Sequence, residues 1–299
     1  MRSSIFKRQR PLYTMLLPGA LLVFIFSYIP MFGVVIAFQK YYPAFGIRHS
    51  KWIGWDNFRY VLDMPDTRQV LWNTVIIALF KIVVNMLVPI VVALLLNEVV
   101  SQRFKKTVQT LIYLPHFLSW VILGGILVDI LSPSHGIVNH VLGFFSVKPV
   151  FFLGDNHWFR TVLVTSDVWK EFGFNTIVYL AALTAINPTL YEAAYVDGAN
   201  RWKQTLHVTL PGMAPIIVLM ATLSIGNILN AGFDQVFNLY SPSVFQSGDI
   251  LDTMIYRIGM QDAQFGVATA IGVFKSAVSI VVISAGYWCA YRLANYRIF

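Results

Sequence analysis

Six stretches of this chain are apolar over twenty residues or more, at about 12–38, 70–97, 107–131, 159–186, 213–238 and 267–292. A helix rises about 1.5 Å per residue, so roughly 20 such residues cross a hydrocarbon core about 30 Å thick. A water-soluble domain has no interior large enough to hide so many runs of that length. The composition agrees: 57% of residues are hydrophobic and 12% charged, and the mean hydropathy is +0.64. Soluble domains carry about 25% charge. The runs lack the residue-by-residue alternation of a membrane β-strand. The expected fold class is therefore all-α, a polytopic membrane protein with six transmembrane helices.

An even number of crossings puts both termini on one side. The segments on that side, 1–11, 98–106, 187–212 and 293 onward, hold ten Lys and Arg in about 53 residues, against eight in roughly 90 on the other. By the positive-inside rule the termini are cytoplasmic. The expected organisation is a cytoplasmic N-terminus over 1–11, a transmembrane domain over 12–292 and a cytoplasmic C-terminus over 293–299. The opening MRSSIFKRQRP has the basic flank of a secretory signal. The apolar run behind it is too long for one, no A-x-A site follows, and it reads as a retained first span. Net charge +8 is scattered over membrane-flanking loops, where orientation explains it, so no nucleic-acid partner is expected. A single cysteine, Cys289, excludes a disulfide framework and a cysteine metal site within the chain. The six histidines show no helical metal spacing, and no metal site is expected.

The three outer loops are each about 28 to 32 residues long and rich in turn formers and aromatics. Loops of that length commonly carry short helices. Trp52, Trp55, Trp158 and Tyr240 flank spans, as interfacial anchors do. Pro18, Pro30 and Pro89 fall inside spans, where proline kinks a helix. The sequence contains no phosphate-binding loop, no HExxH and no separate soluble domain. The chain is not expected to hydrolyse nucleotide or to be an enzyme.

Between the fourth and fifth runs lies a polar, helix-forming passage, LYEAAYVDGANRWKQTLHVTLPGMAP. Pro188 and Thr189 can open a helix, the small Ala193 and Ala194 admit a neighbouring backbone, and Glu192 offers a carboxylate. Asp197 precedes Gly198, which permits a bend that other residues resist. Beyond it, Trp202, Leu206 and Val208 or Thr209 recur at helical spacing and are expected to pack back on the bundle. Leu210-Pro211-Gly212 is expected to end the segment before span five. Two short helices hinged at a glycine fit a docking surface for a soluble partner, or a plain connecting loop.

Glu192, Ala193, Ala194, Gly198, Val208, Leu210 and Pro211 match the pattern E-A-A, three residues, G, nine residues, an aliphatic, one residue, L-P. This resembles the EAA signature of ABC-importer permeases, with Val208 where isoleucine is usual. The likeness extends over YLPHFLSW (113–120), DVWKEFGFNTIVYLAALTAINPTLYEAA (167–194), LNAGFDQVF (229–237) and FKSAV (274–278), which are similar to polysaccharide-type permeases related to the maltose and glycerol-phosphate importers. The resemblance implies a type I ABC importer permease fold, in a bacterial cytoplasmic membrane, with the lipid bilayer around it. It implies a second homologous permease, two cytoplasmic ATPase subunits that bind the ATP and Mg, and an extracytoplasmic solute-binding lipoprotein. No cofactor is implied in this chain. Residues 188–211 would then be the ATPase-coupling segment, with Glu192, Ala193, Ala194, Asp197, Gly198, Leu210 and Pro211 as its candidate contacts.

Charges within spans are costly enough to suggest function. Asp167, Lys170 and Glu171 in span four, Asp234 and Gln235 in span five and Lys275 in span six fall within roughly the outer 20 Å by their helical rise. In span five, Ser224, Asn227, Asn230 or Ala231, Asp234 and Gln235 recur every three or four residues, which predicts a polar stripe on one helix face. Trp169, Phe174 and Phe233 lie close by in the sequence. Amides, carboxylates and aromatic faces together suit sugar hydroxyls and the apolar side of a pyranose. The same groups could equally pair internally, for example Lys170 or Lys275 with Asp167, Glu171 or Asp234. By likeness to maltose-type permeases, the first candidates for substrate contact are Trp169, Glu171, Phe174, Ser224, Asn227 and Asn230. The expected function is transport of an oligosaccharide substrate by alternating access, with acidic sugars an option. The competing readings are a non-sugar importer half, a membrane-embedded transferase, and a structural or ion-conducting membrane protein.

Overall fold

The computed structural model describes the backbone of residues 2–294 and the side chains of residues 12–288 and Arg292. The cations Arg2, Lys7, Arg8, Arg10 and Arg297, which weigh in the orientation argument, and the Cys289 side chain lie outside the described side chains. The architecture is all-helical apart from one two-stranded ribbon, Gln39–Lys40 paired antiparallel with Lys51–Trp52.

Six helical passes follow one another in the expected order. Among the described residues, four are long and apolar enough to cross a membrane by themselves: Leu12–Phe38, Pro65–Glu98, Arg201–Ile225 and Phe265–Trp288. The third pass is not the continuous helix expected over 107–131. Gln102–Phe117 and Trp120–Leu131 meet at a 103° bend. Pro115 removes a backbone donor near the end of the first piece, and Ser119 caps the second by accepting from the Ile122 N–H. The fourth pass, Asn156–Thr184, has 29 residues, ample length, but is too polar to meet the same test. Asp167, Lys170 and Glu171 lower its apolarity.

The fifth pass departs furthest from expectation. It begins at Arg201, continues through a π turn over Thr205–Thr209 and ends at Ile225. Leu210-Pro211-Gly212 therefore does not close the preceding segment. Pro211 sits in the first turn of Leu210–Ile225, where its missing N–H and fixed φ can be accommodated. At the other end the helix stops before residues 226–232, and a separate short helix, Phe233–Leu239, starts after Gly232. The polar stripe predicted on one continuous face does not exist. Ser224 lies in the helix, Asn227 and Asn230 in the turn beyond it, and Asp234 and Gln235 in the next helix.

The chain divides into two compact units. One comprises the residues up to Thr67 with Ile255–Lys275. In it the Phe38 ring stacks on Trp52 at 5.7 Å and meets the Trp55 ring edge-on at 5.2 Å. Asn57 Nδ2 donates to the Ala37 and Gln39 carbonyls at 2.8 and 3.0 Å. The first outer loop thus folds against the end of the first pass, and it carries short helices, Gly46–His49 and Asp56–Asp63, as its length suggested.

The other unit comprises Arg68–Met254 with the residues from Ser276 on. Two apolar clusters hold it. One joins Ile77, Phe159, Leu163, Val236, Val244 and Ile250, and the other joins Ile90, Ala93, Tyr179, Leu183 and Met213. Between these clusters Pro65–Glu98 carries Lys81 and Asn85, and Asn156–Thr184 carries Ser166, Asp167, Lys170, Glu171 and Asn175. That intervening band contains the candidate site.

Candidate functional site

Lys81 lies about 24 Å along a 34-residue helix, close to its midpoint, and is 6% exposed. A bare ammonium at that depth is costly, so its partners define the local structure. Lys81 Nζ faces Asp167 Oδ1 at 3.2 Å and donates to the Ala231 carbonyl at 2.7 Å and to Gln235 Oε1. Asn85 Nδ2 donates to the other Asp167 oxygen at 2.8 Å. Gln235, fully buried, turns its amide N–H groups to the Leu163 carbonyl and Ser166 Oγ, both at 2.8 Å. Gly232 has φ +92, and a Cβ there would stand 3.0 Å from Lys81 Nζ. Glycine meets both demands at once, the left-handed backbone and the close approach.

A cavity of about 190 Å³ opens beside this network. Lys81 and Asn85 line it from the second pass, and Asp167, Glu171 and Asn175 from the fourth. Ser224, Asn227 and Asn230 close it from the end of the fifth. At roughly 30 Å³ per water the volume suits about six waters or one small ring. The wall offers carboxylate and amide acceptors together with amide and ammonium donors, a set that can hold a polyhydroxylated solute.

Of the candidates for the substrate path, Glu171, Ser224, Asn227 and Asn230 are brought together here. Gln235 stands one bond behind the wall, through Lys81. Lys170 is buried and donates to the His116 carbonyl at 2.6 Å while pairing with Glu171 Oε1 at 3.2 Å. The internal pairing that the sequence allowed for Lys170 is thus realised with Glu171, while Asp167 takes Lys81. Trp169 instead lines an apolar cavity with Leu127, Leu131, Phe152 and Trp158. Phe174 stacks on the His116 ring at 4.1 Å, nearly parallel at 4°. Asp234 is exposed at the start of its short helix and does not line the polar cavity. Lys275 belongs to the other compact unit.

Four participants escaped the sequence reading, among them Asn175, one turn beyond Glu171 on the cavity wall. Lys81 was readable as a lone cation in the longest apolar run. Asn85 lies one helical turn beyond it. His116 sits in the break of the third pass and reaches Glu171 Oε2 through Nδ1 at 2.7 Å. Pro115 was the signal for that break.

The polar passage between the fourth and fifth passes forms the first short helix expected and the hinge at Gly198, but its second helix is the start of the fifth pass. Asn187 accepts from the Thr189 N–H at 3.1 Å and Pro188 follows as the first helical residue of Pro188–Val196. Gly198 has φ +76, and Asp197 donates its N–H to the Ala193 carbonyl at 3.0 Å. Asn200 then caps Arg201–Gln204, accepting from the Lys203 N–H at 2.9 Å. The face of this second helix is only partly the one expected. Thr209 is buried, as expected, but Trp202 is 74% exposed and Leu206 is also exposed, while Gln204 is buried in their place. Gln204 Nε2 is held by the Ala199 carbonyl at 3.0 Å, and Thr209 Oγ1 lies 3.0 Å from the Tyr191 hydroxyl. Internal hydrogen bonds, not apolar burial, fix the segment. Glu192 is exposed, as are Tyr195 and Val196, at 78% and 84%.

Residues 85–295 match the family model described as binding-protein-dependent transport system inner membrane component. The polygalacturonan/rhamnogalacturonan transport system permease protein YteP of Bacillus subtilis is 42% identical over 92% of this chain and 86% of its own length. Protein LplB of Bacillus subtilis is 38% identical over 98% of this chain and 92% of its own. A solved bacterial ABC transporter involved in the import of the acidic polysaccharide alginate contains a chain that superposes with TM-score 0.89 at 39% identity, covering 97% of this chain and 98% of that one. A second crystal structure of the alginate transporter, in complex with an alginate pentasaccharide-bound periplasmic protein, has a chain that matches equally well.

Proposed function

Because this chain belongs to the family of binding-protein-dependent transport system inner membrane components and has the type I permease fold, we propose that it is one permease of an importer that carries an acidic oligosaccharide across the membrane. The observation that carries this reading is the polar cavity at mid-span, bounded by Asn85, Glu171, Asn175, Asn227 and Asn230 in an otherwise apolar helical bundle. Relatives whose names specify polygalacturonan, rhamnogalacturonan or alginate support an acidic glycan as cargo. Lys81 and Lys170 supply positive charge close to the cavity wall and beside it, each already shared with a carboxylate. The partners proposed are a second, homologous permease, an extracytoplasmic binding protein and two ATPase subunits. Those ATPases hold the ATP and Mg and perform the hydrolysis, and the termini of this chain share their side of the membrane.

The segment 188–211 is the proposed coupling element. Its exposed Glu192, Tyr195 and Val196 supply a surface for an ATPase groove, and Gly198 sets the angle to the helix that becomes the fifth pass. Ser224, Asn227 and Asn230 follow that helix to the cavity, so a push on the segment reaches the solute through one element. The solute shifts the equilibrium between outward and inward states only by its differential affinity for them. Nucleotide-driven closure of the ATPases supplies the remaining bias.

The test replaces Glu192 by Ala and Gly198 by Val in the assembled transporter. Uptake of oligosaccharide and substrate-stimulated ATP hydrolysis are expected to fall together while the membrane level of the chain holds. Normal transport in both variants removes the coupling role. Uptake of amino acids or peptides with no oligosaccharide uptake removes the proposed cargo.

A further inference from the structure

We infer that the smaller compact unit carries a second sugar-binding site, an outer subsite for one pyranose ring of the transported chain. The inference rests on the proposed oligosaccharide cargo. Its physical basis is a cavity of about 590 Å³ between the Gln39–Lys40 strand, the Asp56–Asp63 helix and the start of the Phe265–Ala294 helix. That volume is within the range of small-molecule sites. These residues join the first pass to the second and lead into the sixth, so both contributing loops are on the outer side in the topology proposed above.

Gln39 marks the cavity as unfinished. Its side chain is 7% exposed, and its Nε2 donates to the Ile47 carbonyl at 3.0 Å. That bond fixes the amide orientation, because a flipped amide would set two carbonyl oxygens against each other. Oε1 is then left buried with no hydrogen-bond partner among the described residues. Buried acceptors are normally paired, and this one lies beneath the surface of a residue that lines the cavity, so a small shift of the Gln39 side chain would present it to a donor there. A sugar hydroxyl is such a donor.

The rest of the wall suits the same ligand. Tyr41, Tyr42, Tyr60 and Phe265 line the cavity, and Tyr41 meets the Phe265 ring edge-on at 6.1 Å. Aromatic faces take the apolar side of a pyranose, while phenolic hydroxyls can bond its polar edge. Asp56 supplies a carboxylate acceptor, and Lys40 Nζ stands 5.9 Å over the Tyr42 ring, placed to meet a uronate. The frame is fixed from behind by Asn57, whose two donor bonds tie the strand to the helix. Ala263 holds φ +54 where the chain turns into the last helix, and the next residue donates its N–H to the Ile258 carbonyl at 2.9 Å. A left-handed alanine persists only where its surroundings impose it.

The experiment uses the whole transporter in lipid nanodiscs, without nucleotide or binding protein, and measures saturation transfer to trigalacturonate, a mannuronate trisaccharide and neutral galactotriose. At least one probe is expected to bind. Gln39→Leu and Tyr60→Ala are each expected to weaken that binding about 10-fold, the scale of one lost buried hydrogen bond, with Glu171→Ala leaving a residual signal that they remove. Tyr60 is half exposed, so its variant reports even if Gln39→Leu does not fold. Unchanged binding in Tyr60→Ala overturns the subsite, as does silence of all three probes in a transporter that imports oligosaccharide. Protection of this cavity by sugar-free binding protein alone also overturns it and marks a protein contact. Failure of the cargo reading is a separate result, read from uptake by the complete system with its binding protein.

Discussion

The band from Lys81 to Gln235 and the segment from Asn187 to Thr209 are both polar, and both interrupt apolar stretches of the same unit. In the band, polar groups are turned inward and most are matched: Lys81 serves Asp167, Gln235 and a carbonyl, and Asp167 takes a second bond from Asn85, whose own Oδ1 stays buried with no partner among the described residues. In the segment, the hydrogen bonds are caps and ties among its own residues, and the large side chains Tyr195, Val196 and Trp202 project with little cover. Apart from that one atom, the band's polar groups are served within one chain. The segment, on the coupling role proposed above, is completed by another. An apolar side chain is therefore no guide to burial where a subunit interface is involved, and a charged one is no guide to exposure where its counterpart lies one helix away.

The contrast is testable where it is sharpest. Lys81→Met leaves Asp167 without its cation in a buried setting, and breaking such a pair costs about 3–5 kcal/mol. A large fall in the thermal midpoint of the purified protein is expected, with partial recovery when Asp167→Asn is added. A midpoint unchanged by Lys81→Met would show that water or lipid already serves the carboxylate. In the segment, Tyr195→Ser with Val196→Ser is expected to leave the chain's own stability within about 0.5 kcal/mol, as for exposed substitutions generally. Retention of the ATPase partner in copurification is expected to fall at least ~10-fold, since exposed aromatics that anchor an interface commonly carry ~2 kcal/mol or more. The smallest effect belongs to Arg201→Gln. Its pair with Glu98, 3.7 Å apart and largely exposed on both sides, is worth about 0–1 kcal/mol, and a shift in melting beyond that would mean a network not visible in the pair itself.

Hydropathy located the helical passes because length and apolarity are one-dimensional properties. It did not locate their interruptions. Ser224, Asn227, Asn230 and Asp234 have helical spacing, yet Gly226 and Gly232 stand between them, and a turn repeats polar residues as readily as a helix face does. The break in the third pass followed the same logic, with Pro115 present and the bend left unread. Glu171, Ser224, Asn227 and Asn230 were legible as a set because polar atoms in a span demand partners. Lys81 stands as a lone cation in its run, and its partners lie 86 and 154 positions away, at Asp167 and Gln235, a pairing that no local pattern encodes. Trp202 and Leu206 were assigned to the wrong face because amphipathic periodicity gives the phase of a helix but not which neighbour owns its apolar side.

The helix that starts at Arg201 has 25 residues and ends at Ile225, a rod of about 37 Å. One end is rooted beside the exposed Trp202 and the other delivers Ser224 to the cavity wall. Small rotations at the near end become ångström-scale travel at the far one, as with any lever whose arm is long against its bearing. Its compliant stretch is the wide π turn over Thr205–Thr209 with Pro211 and Pro215 just beyond it, which, under the coupling role proposed above, places the fulcrum in the half of the rod nearer the ATPase.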